Sequence, residues 1–233
     1  MRVLDLEFML HSVPTIIRGI PISLEIAIVA IVLGMVIGLA TALCRVYKIP
    51  VLRQVSTGYI SLMRGIPMLV SVLIFYYGIP TVLQWVNYKF NLSININNIP
   101  SIYFMFLCYT LCVGAYLSEI VRSAVLAVDK GQMEACHAIG MKTWQGFIRV
   151  VLPQAITSAM PNIGNQFISL LKDTSLCFSV GIAEVLGQAK VLAGRTSRFF
   201  EAYIVAGIIY WILCMVFEII LHQLERVSRK YER

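Results

Sequence analysis

Residues 22–44 read ISLEIAIVAIVLGMVIGLATALC, an apolar run interrupted only by Ser23, Glu25 and Thr41 and by the glycines Gly34 and Gly38. About 20 predominantly apolar residues in a helix cross the hydrocarbon core of a bilayer, so this run is long enough to span one. Gly34 and Gly38 form a G-x-x-x-G, which bares one helix face so that a neighbouring helix can approach closely. A chain that opens with such a segment has lipid as its solvent, and everything downstream has to be read on that basis.

The whole chain agrees. Of its 233 residues 59% are hydrophobic and 13% are charged, with a mean hydropathy of +0.81. Soluble domains average about 45–50% apolar and about 25% charged residues. A water-soluble globule, a disordered chain and a coiled coil are excluded. The expected fold class is all-α: an integral membrane protein with five transmembrane helices. Further spans are predicted from about Tyr59 to Val86, from about Pro100 to Val128 and from about Glu201 to Leu221. Between the last two lies a less regular region, Ile156–Ala189, with Pro161, Gly164, Gly181 and Gly187 and with Lys172 and Asp173 at its centre. This reads as a broken or kinked fourth span. Residues 1–20 form an N-terminal interfacial segment in which Leu6–Ile17 has amphipathic spacing. Residues 21–225 form the transmembrane domain, and residues 226–233 a basic tail.

The net charge of +7 carries no nucleic-acid signal, because the basic residues are spread between apolar segments and no binding motif accompanies them. They serve orientation instead. With the N-terminus outside, the inner segments hold Arg45, Lys48, Arg53, Arg64, Arg122, Lys130, Lys142, Arg149, Arg226, Arg229, Lys230 and Arg233. The outer segments hold Arg2, Arg18, Lys89, Lys190, Arg195 and Arg198. The positive-inside rule then favours N-outside and C-inside. Met1–Pro21 lacks a basic start and a continuous apolar run, so no cleavable signal peptide is expected. The six cysteines make no C-x-x-C, and the three histidines have no metal spacing. No P-loop, H-E-x-x-H or G-x-S-x-G is present, so an enzyme site is not expected.

The segment Gly131–Pro161, GQMEACHAIGMKTWQGFIRVVLPQAITSAMP, is polar enough for water yet keeps helical apolar spacing. Gly140 divides it into two short helices, about Gln132–Ile139 and Thr143–Val151, and Pro153 starts the next. Such an elbow between two spans suits docking on another protein or lying flat on the membrane, and spacing alone does not separate the two.

Glu134-Ala135, Gly140 and Val150-x-Leu152-Pro153 match the E-A-A-x3-G-x9-I-x-L-P signature of ABC-importer permeases. Around it the chain resembles the polar amino acid subfamily in Met63–Pro80, Ala115–Ala135, Leu152–Leu176 and, more weakly, Val180–Lys190. The resemblance implies the type I importer fold and the bacterial plasma (inner) membrane. It implies that residues 131–153 are the coupling loop, seated on a separate ATP-binding cassette subunit, with Glu134, Ala135, Gly140, Leu152 and Pro153 in that role. Gly140 permits the tight bend, and Glu134 can hold the elbow through charge-assisted hydrogen bonds. Cys136 stands where a second Ala is usual and Ser123 where Gly is common, both small replacements. The implied partners are that ATPase, a second permease copy or a homologous permease, an extracytoplasmic amino-acid-binding protein and the lipid bilayer. ATP and Mg belong to the ATPase, and no cofactor is expected on this chain. Alternating access driven by ATP is the implied mechanism, with cystine favoured as substrate and basic amino acids next. An ion-coupled secondary transporter or channel is the alternative, and the Glu134-Ala135 elbow argues against it.

Charged groups inside a span are functional candidates by default. Lys172, Asp173, Thr174 and Ser175 can meet the carboxylate and ammonium of a free amino acid on unwound backbone, or can pair only with neighbouring helices. Asn165 and Gln166 are candidates to line the pathway, and Glu25 is a weaker one. Glu119 and Arg122 stand at i, i+3, the spacing of an ion pair. Arg64, in Arg64-Gly65-Ile66-Pro67, is either an anchor at a helix start or a ligand contact.

Overall fold

A computed structural model describes residues 4–229, which leaves Arg2 and the tail residues Lys230 and Arg233 of the charge count outside the described residues. Ten α-helices follow one another among the described residues: α1 (Leu6–Ile17), α2 (Ile20–Val46), α3 (Leu52–Gly65), α4 (Met68–Phe90), α5 (Ser101–Ala127), α6 (Lys130–Ala138), α7 (Thr143–Gly146), α8 (Leu152–Asp173), α9 (Val185–Thr196) and α10 (Phe199–Arg229). No strand occurs among them. Helices α2, α4, α5 and α10 are long and apolar enough to cross a bilayer. The fifth crossing is the run Thr143–Val180 together with α9, bent by 43°.

Helix α5 is the centre, and its Met105, Cys108, Tyr109, Cys112 and Leu117 are sealed from solvent. Helix α2 lies against it through small residues. A Cβ on Gly38 would come within 2.8 Å of Leu117 Cβ and 3.1 Å of the Gly114 carbonyl oxygen. A Cβ on Gly114 would in turn meet Tyr59 Oη at 2.9 Å and Ile37 Cβ at 3.2 Å. Backbones this close gain dispersion contacts, the main attraction between helices whose alternative neighbour is lipid. Tyr59 donates to the Leu111 carbonyl at 2.5 Å and Thr41 donates to Ser118 Oγ at 2.9 Å, while the buried Thr110 hydroxyl beside Gly34 has no partner among the described residues.

Two elements differ from the sequence expectation. The second span does not start at Tyr59: the chain is extended at Ile66, and Pro67, which cannot donate a backbone N–H, stands just before α4. Tyr59 therefore belongs to α3, an amphipathic helix, and the crossing is Met68–Phe90. The N-terminal segment forms the expected helix, Leu6–Ile17, and it docks on α9 and α10. Its Ile16 packs with Val185, Ala189 and Ala193 of α9 and Ala202, Val205 and Ala206 of α10. Asp5 caps it, accepting from the Phe8 N–H at 3.0 Å and pairing with Arg198, whose guanidinium lies over the Phe8 ring. That backbone hydrogen bond, helped by Arg198, holds the Asp5 carboxyl below the usual carboxylate range. Finally, Lys172 and Asp173 do not sit in unwound backbone. They end α8, a 3₁₀ segment Thr174–Val180 follows, and the bend falls at Gly181, φ +82°.

The glycine seam makes a direct prediction. Gly38→Leu overpacks it and destabilises the protein by about 1–3 kcal/mol. Gly58→Ala, with nothing within 4 Å of the added carbon, leaves stability unchanged or slightly raised. Thermal unfolding of the two variants in detergent separates them.

Candidate functional site

The elbow between the third and fourth crossings is built from backbone chemistry. Asp129 accepts from the Gly131 N–H at 2.6 Å and starts α6. Helix α6 ends in a Schellman motif: the Met141 N–H donates to Cys136 O at 3.0 Å and the Gly140 N–H to His137 O at 3.0 Å. The motif needs the left-handed conformation found at Gly140, φ +78°. The chain then turns back, Gln145 accepts from the Lys142 N–H at 2.9 Å, and Gly146 closes against Cys136 and Met133. Glu134 does not hold this bend. It makes no charge-assisted hydrogen bond among the described residues, and with Ala135 it lies exposed on the outer surface of α6. The exposed tip is apolar, with Ile139 77% and Trp144 60% exposed.

The second half of the elbow is no separate helix. Helix α7 runs into a π-helical turn, Phe147–Val151, and on into α8 without leaving helical geometry. The Leu152 N–H reaches back to Phe147 O, the five-residue spacing of a π turn. Pro153, which cannot donate, sits in the turn that follows, so it continues the rod rather than starting a new one. Leu152 is half-buried and Pro153 exposed beside Val151, which packs on Val121 and Val125 of α5.

Helix α8 separates the candidate pathway residues onto two faces. Gln166, Ser169 and Asp173, at i, i+3 and i+7, line a cavity of 250 Å³ shared with Met63 of α3, Ile66 of the linker, Met68 of α4, and Cys112 and Tyr116 of α5. Asn165 lines a different hollow, between α8 and α10, with Glu218, His222 and Glu225. Lys172 follows Asn165 by seven residues and so falls on that second face of the helix. Lys172 and Asp173 are thus about 100° apart on the helix, and of the two only Asp173 lines the cavity. Thr174 is sealed inside and donates to Leu171 O at 2.7 Å, and Ser175 is half-buried. Glu25 is exposed on α2.

Beside the cavity, three guanidiniums converge on one carboxylate. Glu119 pairs with Arg45 of α2, with Arg122 at 2.9 Å and with Arg64 of α3 at 4.0 Å. Arg64 is the loosest and most exposed of the three and lies over the ring of Tyr116, which lines the cavity.

Two residues went unnoticed in the sequence. Tyr109 donates to the Asp173 carbonyl at 2.7 Å and receives Cys177 Sγ at 3.4 Å, fixing the end of α8 to α5. Glu184 is completely buried at the start of α9. Its polarity inside VGIAEVLGQAK was the available signal, since a charge in a span calls for a partner.

Residues 30–230 match the family described as binding-protein-dependent transport system inner membrane component. The chain is 40% identical over 230 residues to a probable amino-acid permease protein, YxeN, of Bacillus subtilis, covering 99% of this chain and 98% of that one. It is 37% identical over 217 residues to the L-cystine transport system permease protein TcyL of the same organism, covering 93% and 88%. A crystal structure of an amino acid ABC transporter with histidines superposes with a TM-score of 0.82 at 31% identity, covering 96% of this chain and 99% of that one.

The left-handed residue of the elbow is the most exposed point for a test. A β-branched side chain there costs about 1–2 kcal/mol, while Asn tolerates the conformation. Gly140→Val is expected to speed amide hydrogen exchange over residues 131–146 by roughly tenfold, and Gly140→Asn to leave it near the parent rate. Equal exchange in both variants would show that the conformation carries no strain.

Proposed function

This chain belongs to the binding-protein-dependent transport system inner membrane component family, as the permease subunit of an amino-acid ABC importer in the bacterial inner membrane, and on that premise we propose that it imports cystine, with basic amino acids next. The observation that carries the substrate reading is the cavity at the end of α8. Asp173 is its one charged lining group among the described residues, with Gln166 and Ser169 on the same face and Arg64 just beyond Tyr116. A carboxylate suits a substrate ammonium, and a guanidinium at the rim suits its carboxylate. Between them Met63, Met68 and Cys112 offer polarizable sulfur to an apolar disulfide bridge. The likeness to a cystine permease supports the same choice.

In this reading residues 131–153 seat on an ATP-binding cassette subunit that holds Mg and ATP, and the exposed Ile139 and Trp144 supply apolar contact at that joint. A second copy or a homologous permease completes the pathway. An extracytoplasmic binding protein delivers the amino acid, the N-terminus lies outside, and the C-terminus faces the cytoplasm. ATP binding closes the partner subunits and opens the pathway outward, and hydrolysis resets it inward.

Labelled cystine accumulation in vesicles holding the whole complex, with and without ATP, tests this. ATP-dependent uptake that unlabelled arginine, histidine, glutamine and glutamate do not suppress supports both class and substrate. Suppression by one of them moves the substrate to that amino acid. Losing a hydrogen bond to a charged group costs about 1.5–3 kcal/mol, so Asp173→Asn should cut uptake by roughly tenfold or more while assembly with the ATPase persists. Normal uptake in that variant removes Asp173 from the substrate's path.

A further inference from the structure

We propose that Glu184 is a positioning residue for transport: its carboxylate clamps the start of α9 to α2 and α10 just beyond the bend at Gly181, so that movement in the broken span is confined to the 3₁₀ segment and the cavity end of α8. The inference rests on the ATP-driven import proposed above.

The clamp is fully described by its donors. Oε1 accepts from the Gly187 N–H at 2.8 Å. Oε2 accepts from the Leu186 N–H at 3.0 Å, from Ser23 Oγ of α2 at 3.4 Å and from the Tyr210 hydroxyl of α10. One side chain thereby caps α9 and ties it to two other helices. The backbone closes the joint from the other side: a Cβ on Gly19, at the α1–α2 junction, would sit 2.3 Å from the Glu184 carbonyl carbon. Nothing larger than hydrogen fits there. Beyond Glu184 the chain is regular helix, its Val185, Ala189 and Ala193 sealed against α1 and α10.

On the near side the geometry is different. Residues 174–180 are 3₁₀ helix, a form whose mid-span use often marks a hinge. Gly181 adopts φ +82° with nothing within 4 Å of a would-be Cβ, the Gly181 and Ile182 N–H groups close the segment on Phe178 O at 3.1 Å and Cys177 O at 3.2 Å, and the helix does not resume until Val185. The ties on this side are fewer than at the clamp: across to α5 the Tyr109 hydroxyl donates to Asp173 O and accepts from Cys177 Sγ, two neutral bonds against the four donors gathered on Glu184. This less tightly held side leads to Asp173, which lines the cavity.

The carboxylate is irreplaceable by its amide. Each oxygen receives a backbone N–H, and backbone N–H groups cannot reverse their role. Whichever way the side-chain amide of the Glu184→Gln variant is turned, its NH₂ faces a donor. Tyr210→Phe is the milder cut, removing the tie to α10 while leaving the cap of α9 in place.

The test is amide hydrogen exchange on the complete complex, permease with its ATPase, with and without a non-hydrolysable ATP analogue. In the parent protein the nucleotide should change exchange in residues 174–183 and leave residues 185–196 unaltered. In Glu184→Gln and in Tyr210→Phe the nucleotide-dependent change should spread into residues 185–196, with rates there shifting by about tenfold. If the Glu184→Gln variant fails to assemble, Tyr210→Phe decides alone. Equal nucleotide response on both sides of Glu184 in the parent overturns the proposal. So does faster exchange in 185–196 that is the same with and without nucleotide, which is the mark of a purely structural residue. A parent complex whose exchange ignores the nucleotide throughout overturns the ATP-driven reading itself, and this one with it.

Discussion

The close contact of α2 with α5 is the constraint on which the remaining packing depends. Helix α5 is the only one of the four long apolar helices with most of its surface covered, and it is covered because Gly34, Gly38 and Gly114 let backbone meet backbone. In lipid the apolar side chains of the two helices gain little by finding each other, so the attraction has to come from fit. Once α5 is held, its other faces receive α3 through Tyr59, α8 through Tyr109, and the elbow through Val121 and Val125. Each of these places one wall of the cavity or the base of the elbow.

The electrostatics follow from an uneven distribution along the chain. No Asp or Glu stands between Glu25 and Glu119, while Arg45, Lys48, Arg53, Arg64 and Lys89 all do. Glu119 is therefore asked to balance Arg45, Arg64 and Arg122 at once, and it holds two of them closely. The excess positive charge is left at Arg64, next to the cavity rim. A single carboxylate among three guanidiniums orders the helices and leaves Arg64 the least closely compensated of the three.

How much of this could be read beforehand divides along physical lines. The crossings were legible because lipid imposes a length and a composition on every span. Gly140 was legible because a left-handed helix end leaves few choices of residue, and the bend it makes is the one observed. The second span's true start was missed because the apolar pattern of α3 merges with that of α4, and only the extended Ile66 and the proline after it mark the join. Lys172 and Asp173 were placed together because they are neighbours in sequence, although helical periodicity already sets them on different faces with Asn165 and Gln166 respectively. Glu184 and Tyr109 escaped because their partners, Ser23, Tyr210 and the Asp173 carbonyl, lie far away along the chain and only the folded structure brings them near.

The π-helical turn at Phe147–Val151 makes one rod of everything from Thr143 to Asp173, and this sets a rule for how the gene can change length. The loop at residues 91–100 or the link at 47–51 can gain or lose a residue at small cost, since slack there absorbs it. Between the elbow and the cavity there is no slack. One residue added within the rod rotates all that follows by about 100°, which would carry Asp173 off the cavity face. Length variation in this protein is accordingly expected at the loops between crossings and not in the stretch that joins Thr143 to Asp173.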